Sequence, residues 1–455
     1  MSGAAVVRKP SGPDQPVSLH SAGRAPERGG KAAGMAQTTD GWITTAIWWQ
    51  VYPLGFTGAE TAAADAPEAV QHRLPALLPW LDDLLALGCN GLLLGPVFAS
   101  STHGYDTVDH FRVDPRLGDE GDLDALIAAC RERGIRVLFD GVFNHVGRDH
   151  PWWREAVAAG PGSAAAARFS RSDSAREVDG LLVDVFEGHE ALVELDLANP
   201  EVSAYVSSVL AHWLERGIDG WRLDAAYAVA PASWRAAIDP VRERFPEAWF
   251  VGEVIHGDYA GYVRESGLDS VTQYELWKAV RNSLEERNLF ELAWSLTRHG
   301  EFLDSFLPLT FIGNHDVTRL ASAVSDERHH GHAIAVLGFV GGVPSIWSGD
   351  ERGLRGVKEE RVGGDDAIRP AFPADPAGLP GGEAYRAHQE VIAFRRRHPW
   401  LVQSRTSAVD LANASVLLVA EGPGGESARL ALNIGDDPAT VGGVRVDPHS
   451  WALLD

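Results

Sequence analysis

Arg222 and Asp224 stand two residues apart in the otherwise apolar stretch Gly217-Ile-Asp-Gly-Trp-Arg-Leu-Asp-Ala-Ala226. On a β-strand, side chains at i and i+2 leave the same face, so both would enter one cavity while Leu223 turns to the opposite side. A guanidinium beside a carboxylate favours the anion. A rigidly held, ionised Asp at the C-terminal end of a strand can act as a covalent nucleophile. The same pair can equally be a structural ion pair, because such pairs also perturb carboxylates. This stretch alone leaves both readings open.

Other apolar runs are interrupted in the same way. Asp140, Asn144 and His145 follow one run, Glu253 ends another, and Asn314-His315-Asp316 end a third. Taken singly, each is an ordinary cap, turn residue or ion-pair partner. Three carboxylates (Asp224, Glu253, Asp316), Arg222 and two histidines (His145, His315) at the ends of successive strands are harder to assign to structure alone.

The elements that would position them alternate regularly. Strand-like runs occur at Ala46–Pro53, Gly91–Val97, Val137–Phe143, Gly220–Ala226, Ala248–Val254, Ser270–Glu275, Leu309–Gly313 and Val343–Trp347. Helical patterns separate them at Leu74–Leu87, Asp122–Arg133, Val202–Arg216, Ala232–Arg244, residues 276–298 and Glu383–His398. Near-continuous apolar runs such as Gly91-Leu-Leu-Leu-Gly-Pro-Val97 suit parallel strands covered on both faces. Eight strands alternating with helices predict an α/β fold, a (β/α)8 TIM barrel whose active site lies at the C-terminal strand ends. A doubly wound open sheet is the competing architecture, but no Gly-x-Gly-x-x-Gly follows the first strand.

Residues 41–143 and 200–398 are assigned to the barrel. Residues 144–199, with Trp152-Trp153 and the Ala/Gly-rich stretch Gly160–Ala167, read as an inserted, loop-rich domain after strand three. Residues 399–455 show short alternating runs and read as a small antiparallel β domain. Residues 1–40 lack an apolar core and read as a disordered extension, with Met35 as a candidate native start.

Composition narrows the function classes. The chain has 455 residues and a formal net charge of −23, which disfavours nucleic acid and anionic membranes as partners. No apolar run approaches a membrane span. The only cysteines, Cys89 and Cys130, fit buried free thiols rather than a disulfide or zinc framework.

Asp140-Gly-Val-Phe-Asn-His145, Gly220-Trp-Arg-Leu-Asp224, Val251-Gly-Glu-Val254 and Ile312-Gly-Asn-His-Asp316 resemble, in order, the four motifs of the α-amylase family of glycoside hydrolases. His103-Gly-Tyr-Asp-Thr-Val-Asp109 and Asp114-Pro-Arg-Leu-Gly118 are similar to the family's loop after strand two. The resemblance runs from about Trp48 to Asp350 and implies a retaining reaction on an oligosaccharide. It makes Asp224 the nucleophile, Glu253 the general acid and base, and Asp316 the carboxylate that favours the distorted sugar ring. His145 and His315 would hydrogen-bond the same glucosyl unit, Tyr105 would stack beneath it, and His103 would lie nearby. Retention needs the two reacting carboxyls about 5–5.5 Å apart. It also needs one ionised and one protonated near neutral pH, with Arg222 supplying part of that difference.

Departures from the family pattern refine this. The Lys-His pair that many calcium-dependent members carry after the nucleophile is replaced by Ala225-Ala226-Tyr227-Ala228. Asn144 leaves room for a metal, calcium included, but nothing in the sequence supports one, and no cofactor is expected. Ala225 rather than Val after the nucleophile favours α-1,4 over α-1,6 linkages. Asp365-Asp-Ala-Ile-Arg369 is similar to the Asp/Arg pair that grips the next sugar in cyclomaltodextrinase-like members; a surface salt bridge is the competing reading. The expected activity is hydrolysis of α-glucosidic bonds in maltooligosaccharides or related short α-glucans, in the cytoplasm. A transglycosylase or isomerase differs only in what captures the glycosyl enzyme. A non-catalytic carbohydrate-binding barrel would be expected to have lost one of the three carboxylates. Oligomeric state is not legible in the sequence.

Overall fold

In the computed structural model, which describes residues 41–361 and 363–455, the predicted strands join one parallel sheet. They are β1 (Trp48–Val51), β2 (Gly91–Leu94), β3 (Arg136–Gly141), β4 (Gly220–Leu223), β5 (Trp249–Gly252), β6 (Ser270–Val271), β7 (Leu309–Phe311) and β8 (Val343–Trp347). Each strand pairs with its sequence neighbour, and β1 also pairs with β8. A parallel bridge from Thr272 to Leu309, with Gln273 N–H donating to the Leu309 carbonyl at 2.9 Å, links β6 to β7 and closes the barrel. The expected (β/α)8 architecture is the observed one.

Helices follow each strand: α1 (Leu78–Leu87), α2 (Glu120–Glu132), α3 (Pro200–Arg216), α4 (Pro231–Arg244), α5 (Tyr259–Ser266), α6 (Tyr274–Glu285) with α7 (Phe290–Phe302), α8 (His330–Phe339) and α9 (Glu383–Arg397). Local chemistry sets their ends. Asp119 and Asp122 form a capping box on α2, and Asn199 caps α3 with Pro200 as its first residue. Gly217 ends α3 at φ 108°, a left-handed conformation open to glycine without strain. The stretch around Arg222 therefore begins as a helix stop and becomes β4 three residues later.

Side-chain alternation divides the core. Trp48, Leu93, Leu138, Trp249, Val251, Leu309 and Val343 form one buried cluster together with Ile43 and Ala46, while Trp49, Leu92, Leu94, Val137, Phe139, Trp221 and Phe250 belong to a larger cluster with the helices. Trp48 and Trp249 stack at 6.1 Å between centroids. Polar side chains gather at the C-terminal ends, with Asp140 on β3, Arg222 on β4, and Asp224 and Glu253 immediately after β4 and β5.

Two expectations need correction. Residues 276–298 are not one long helix: Arg287, at φ 52°, breaks the segment into α6 and α7. The insertion after β3 is also more regular than its composition suggests. It holds a helix, Pro151–Ala159, started by His150 and Pro151, and paired strands His145–Gly147 with Leu192–Glu194 and Arg176–Val178 with Leu181–Val183. The C-terminal strands β9 (Arg405–Val409), β10 (Ser415–Glu421), β11 (Ser427–Asn433) and β12 (Ser450–Leu454) form an antiparallel sheet in that order. Cys89 and Cys130 are buried free thiols. The expectations for residues 1–40, Met35 included, lie outside the described residues. Among the described residues, no helix is long and apolar enough to cross a membrane.

Candidate active site

Strand register brings the charges together. Arg222 on β4 lies beside Asp140 on β3, and Leu223 pairs with Gly252 on β5, so the next residues, Asp224 and Glu253, end at the same level. Arg222 Nη1 approaches Asp140 Oδ1 at 2.7 Å and Asp224 Oδ1 at 2.6 Å, while Nη2 approaches Glu253 Oε1 at 2.9 Å. One guanidinium thus holds three carboxyls, all buried.

Arg222 favours the Asp224 anion, as expected, but its one charge is shared with Asp140 and Glu253. Burial pushes Asp224 up to about 7; Arg222 opposes this, and the neighbouring Asp140 adds to it. Burial likewise raises Asp140 to about 6 and raises Glu253, again against the pull of Arg222. A single positive charge cannot offset the desolvation of three anions, so the cluster retains protons near neutral pH. The titrations belong to the group rather than to single residues.

Glu253 has two further partners. Its Oε2 accepts from the Ala225 N–H at 3.0 Å and its Oε1 from the Tyr274 hydroxyl at 3.0 Å. Ala225 sits at φ 45°, a left-handed conformation unusual for a residue with a Cβ, and this turn aims its N–H at Glu253. Asn314 Nδ2 in turn donates to the Tyr274 oxygen at 2.9 Å.

Asp316 is held differently. Its side chain is 31% exposed, and it lies 2.8 Å from His315 Nε2 and 2.9 Å from Arg369 Nη2. Burial alone would raise it, but His315, Arg369 and Arg222 outweigh that and hold it well below the usual carboxylate range. Burial lowers the proton affinity of His315, so its ring meets Asp316 as a neutral imidazole. His315 Nδ1 meets Gln50 Nε2 at 3.0 Å, which fixes the ring.

Arg369 also donates to the His315 carbonyl at 2.9 Å, pairs with Asp365 at 2.9 Å, and lies 4.8 Å above the Tyr52 ring. Its side chain is 8% exposed, so this is no isolated surface bridge; Asp365, at 33%, is the exposed end of the chain Asp316–Arg369–Asp365.

Tyr105 lies parallel to His315, with centroids 5.5 Å apart, and its hydroxyl donates to Asp140 at 3.2 Å. His103 accepts from the Tyr105 N–H at 3.3 Å and offers its carbonyl to the Tyr52 hydroxyl at 2.7 Å. His145 stacks on Phe186 at 4.6 Å, with Nδ1 3.2 Å from Asn144 and a buried Nε2 that has no hydrogen-bond partner among the described residues. Burial lowers it to about 3, so it is a neutral imidazole. Trp153 is buried with its N–H on Asp179, and Trp152 packs against Tyr205 at 4.4 Å.

The family model for the α-amylase catalytic domain matches residues 50–180 and 182–401. The chain belongs to the α-amylase family of glycoside hydrolases. A cyclomaltodextrinase from a Bacillus species is 31% identical over 380 residues, covering 78% of this chain and 66% of its own length. An intracellular maltogenic amylase from Bacillus subtilis is 28% identical over 338 residues, covering 70% of this chain and 57% of its own. The chain thus spans under two thirds of those relatives. Among solved α-amylase-family structures, the cyclic α-maltosyl-(1→6)-maltose hydrolase of Arthrobacter globiformis superposes with a TM-score of 0.78 at 26% identity, covering 91% of this chain and 98% of that one.

Within this family barrel, three participants escaped sequence reasoning: Tyr274, Gln50 and Tyr52. Asp140 stood out as a carboxylate inside an apolar strand but was given no role. The three looked like core aromatics or a stray amide, and only their hydrogen bonds tie them to the site.

Proposed function

We propose that the protein is a retaining hydrolase of α-glucosidic bonds, principally α-1,4, in maltooligosaccharides or related short α-glucans. The observation that carries this is the single guanidinium of Arg222 holding Asp224 and Glu253 on adjacent strands. Arg222 binds Asp224 Oδ1, which leaves Oδ2 to attack the anomeric carbon. Glu253, whose raised affinity for a proton suits a general acid, protonates the departing oxygen. The resulting β-glycosyl ester on Asp224 is opened by water that gives its proton back to Glu253, and the anomeric configuration is retained.

Asp316 is the carboxylate that stays ionised, which suits it to the positive charge that develops on the sugar ring. His103, Tyr105, His145 and His315 contact the same glucosyl unit, and Asp365 with Arg369 borders the next one. No metal or other cofactor takes part in this proposal. The names of the cyclomaltodextrinase and maltogenic amylase relatives support short α-glucans as substrates. The name of the intracellular relative supports a cytoplasmic setting.

Proton NMR of maltotriose turnover tests this reading. Maltose and glucose should appear, with the newly formed reducing end first seen as the α-anomer. A β-anomer appearing first would refute it, and transfer products outweighing glucose would favour a transglycosylase.

A further inference from the structure

Away from the barrel mouth, histidines and carboxylates from two distant parts of the chain converge where the segment before α8 meets the C-terminal sheet. Asp326 and His329 lie just before α8, and His449 lies just before β12. His329 Nε2 is 3.0 Å from His449 Nδ1 and 3.8 Å from Asp326 Oδ2. The donor atoms of all three residues lie within 4.8 Å of one another.

We propose that Asp326, His329 and His449 form a binding site for a divalent zinc ion, which ties the barrel to the C-terminal sheet. Donors about 2.0–2.2 Å from zinc in a tetrahedron sit roughly 3.3–3.6 Å apart, and the observed separations bracket that spacing. Two imidazoles and one carboxylate leave a fourth position for water.

The surroundings orient the ligands. His449 Nε2 lies 2.9 Å from Asp436 Oδ1, so Nε2–H donates to the carboxylate and the Nδ1 lone pair faces His329. A carboxylate behind a ligating imidazole is the arrangement that fixes tautomer and ring orientation in zinc sites. Arg287 holds Asp436 in place at 2.9 Å. His449 itself sits at φ 50°, a backbone conformation that is strained for histidine and points its ring inward. His329 is fully buried, so its ring is held in place by packing on every side.

Charge does not oppose an ion here. Asp326 is a carboxylate paired with Arg328, whose guanidinium meets the same Oδ2 that faces His329. Arg287 is matched by Asp436 and Arg328 by Asp326 itself, and His332, whose ring lies 5.5 Å from that of His329, donates its Nε2–H to the Asn433 and Ser450 carbonyls rather than to the cluster. A second cluster, exposed His72 with the half-buried Asp119 and Asp122, is explained by the α2 cap, so it serves as the control.

The test uses the full-length protein, stripped with a chelator and then dialysed against zinc sulfate. The expected result is one zinc per chain, with a melting temperature a few degrees above that of the stripped protein. His449→Ala should lose both effects. Asp436→Asn, which keeps every ligand, should weaken zinc binding by about 10–100-fold. His72→Ala should leave binding unchanged. No stoichiometric zinc, zinc bound equally well by His449→Ala, or zinc lost only in His72→Ala would overturn the proposal. Should His449→Ala fail to fold, Asp436→Asn decides the matter: unchanged affinity there refutes the site.

Discussion

Arg222 Nη1 lies 2.6 Å from Asp224 Oδ1, the residue that immediately follows β4. The contact orients the carboxylate, but the same nitrogen also serves Asp140, and the neighbouring one serves Glu253. Neutralisation of Asp224 is therefore incomplete by construction, and the behaviour of the site with pH follows from that.

Removing the guanidinium should be more damaging than removing any one carboxylate. Arg222→Ala leaves three buried acids with no counter-charge, and breaking a buried pair in this way costs about 3–5 kcal/mol. Denaturant unfolding at neutral pH should show that loss. The deficit should shrink in acid, where the carboxyls become neutral.

Stability should depend on pH in a defined direction. The folded-state values of about 7 for Asp224 and about 6 for Asp140 lie above the ordinary 3.8. Between about pH 4 and pH 7 the folded state thus binds more protons than the unfolded one, and the contribution of these groups to stability falls as pH rises. Asp140→Asn should flatten the slope of unfolding free energy across that window; an unchanged slope would show that the cluster does not retain protons.

Activity should follow the same charges. The acidic limb of kcat/KM reports ionisation of the cluster that contains Asp224, so it should lie well above ordinary carboxylate values. Asp140→Asn removes a negative neighbour that raises Asp224, so the limb should move to lower pH even though turnover falls. A limb that stays in place would contradict the shared-charge arrangement.

Arg369 and Asp365 should not behave alike. Arg369→Ala strips Asp316 of its cation and should lower kcat/KM for maltotriose about 10-fold, the scale of one charge-assisted contact. Asp365→Ala removes only the exposed end of the chain and should change it by less than about 3-fold. Steady-state kinetics with both variants distinguishes the two.

The barrel was legible because its strands are apolar on both faces and bounded by glycine and cap residues. The rim was legible because carboxylates at Asp224, Glu253 and Asp316 stand out in such runs. Tyr274 and Gln50 were not, since a hydroxyl or amide bonded to a catalytic group looks like any core aromatic or edge amide in sequence. The break between α6 and α7 falls at Arg287-Asn288, with neither glycine nor proline to mark it, so the helical pattern reads straight through. The shared use of Arg222 depends on register between β3, β4 and β5, a relationship across strands that no local pattern encodes.

The central claim is that Asp224 carries the glycosyl group. Incubation with 5-fluoro-α-glucosyl fluoride, which slows breakdown of the intermediate, followed by peptide mass spectrometry, tests it directly. One glycosyl adduct is expected on the peptide containing Asp224, absent in Asp224→Asn, whose kcat should fall on the order of 10⁴-fold. An adduct on Glu253 or Asp316 instead, or near-normal turnover in Asp224→Asn, would contradict it.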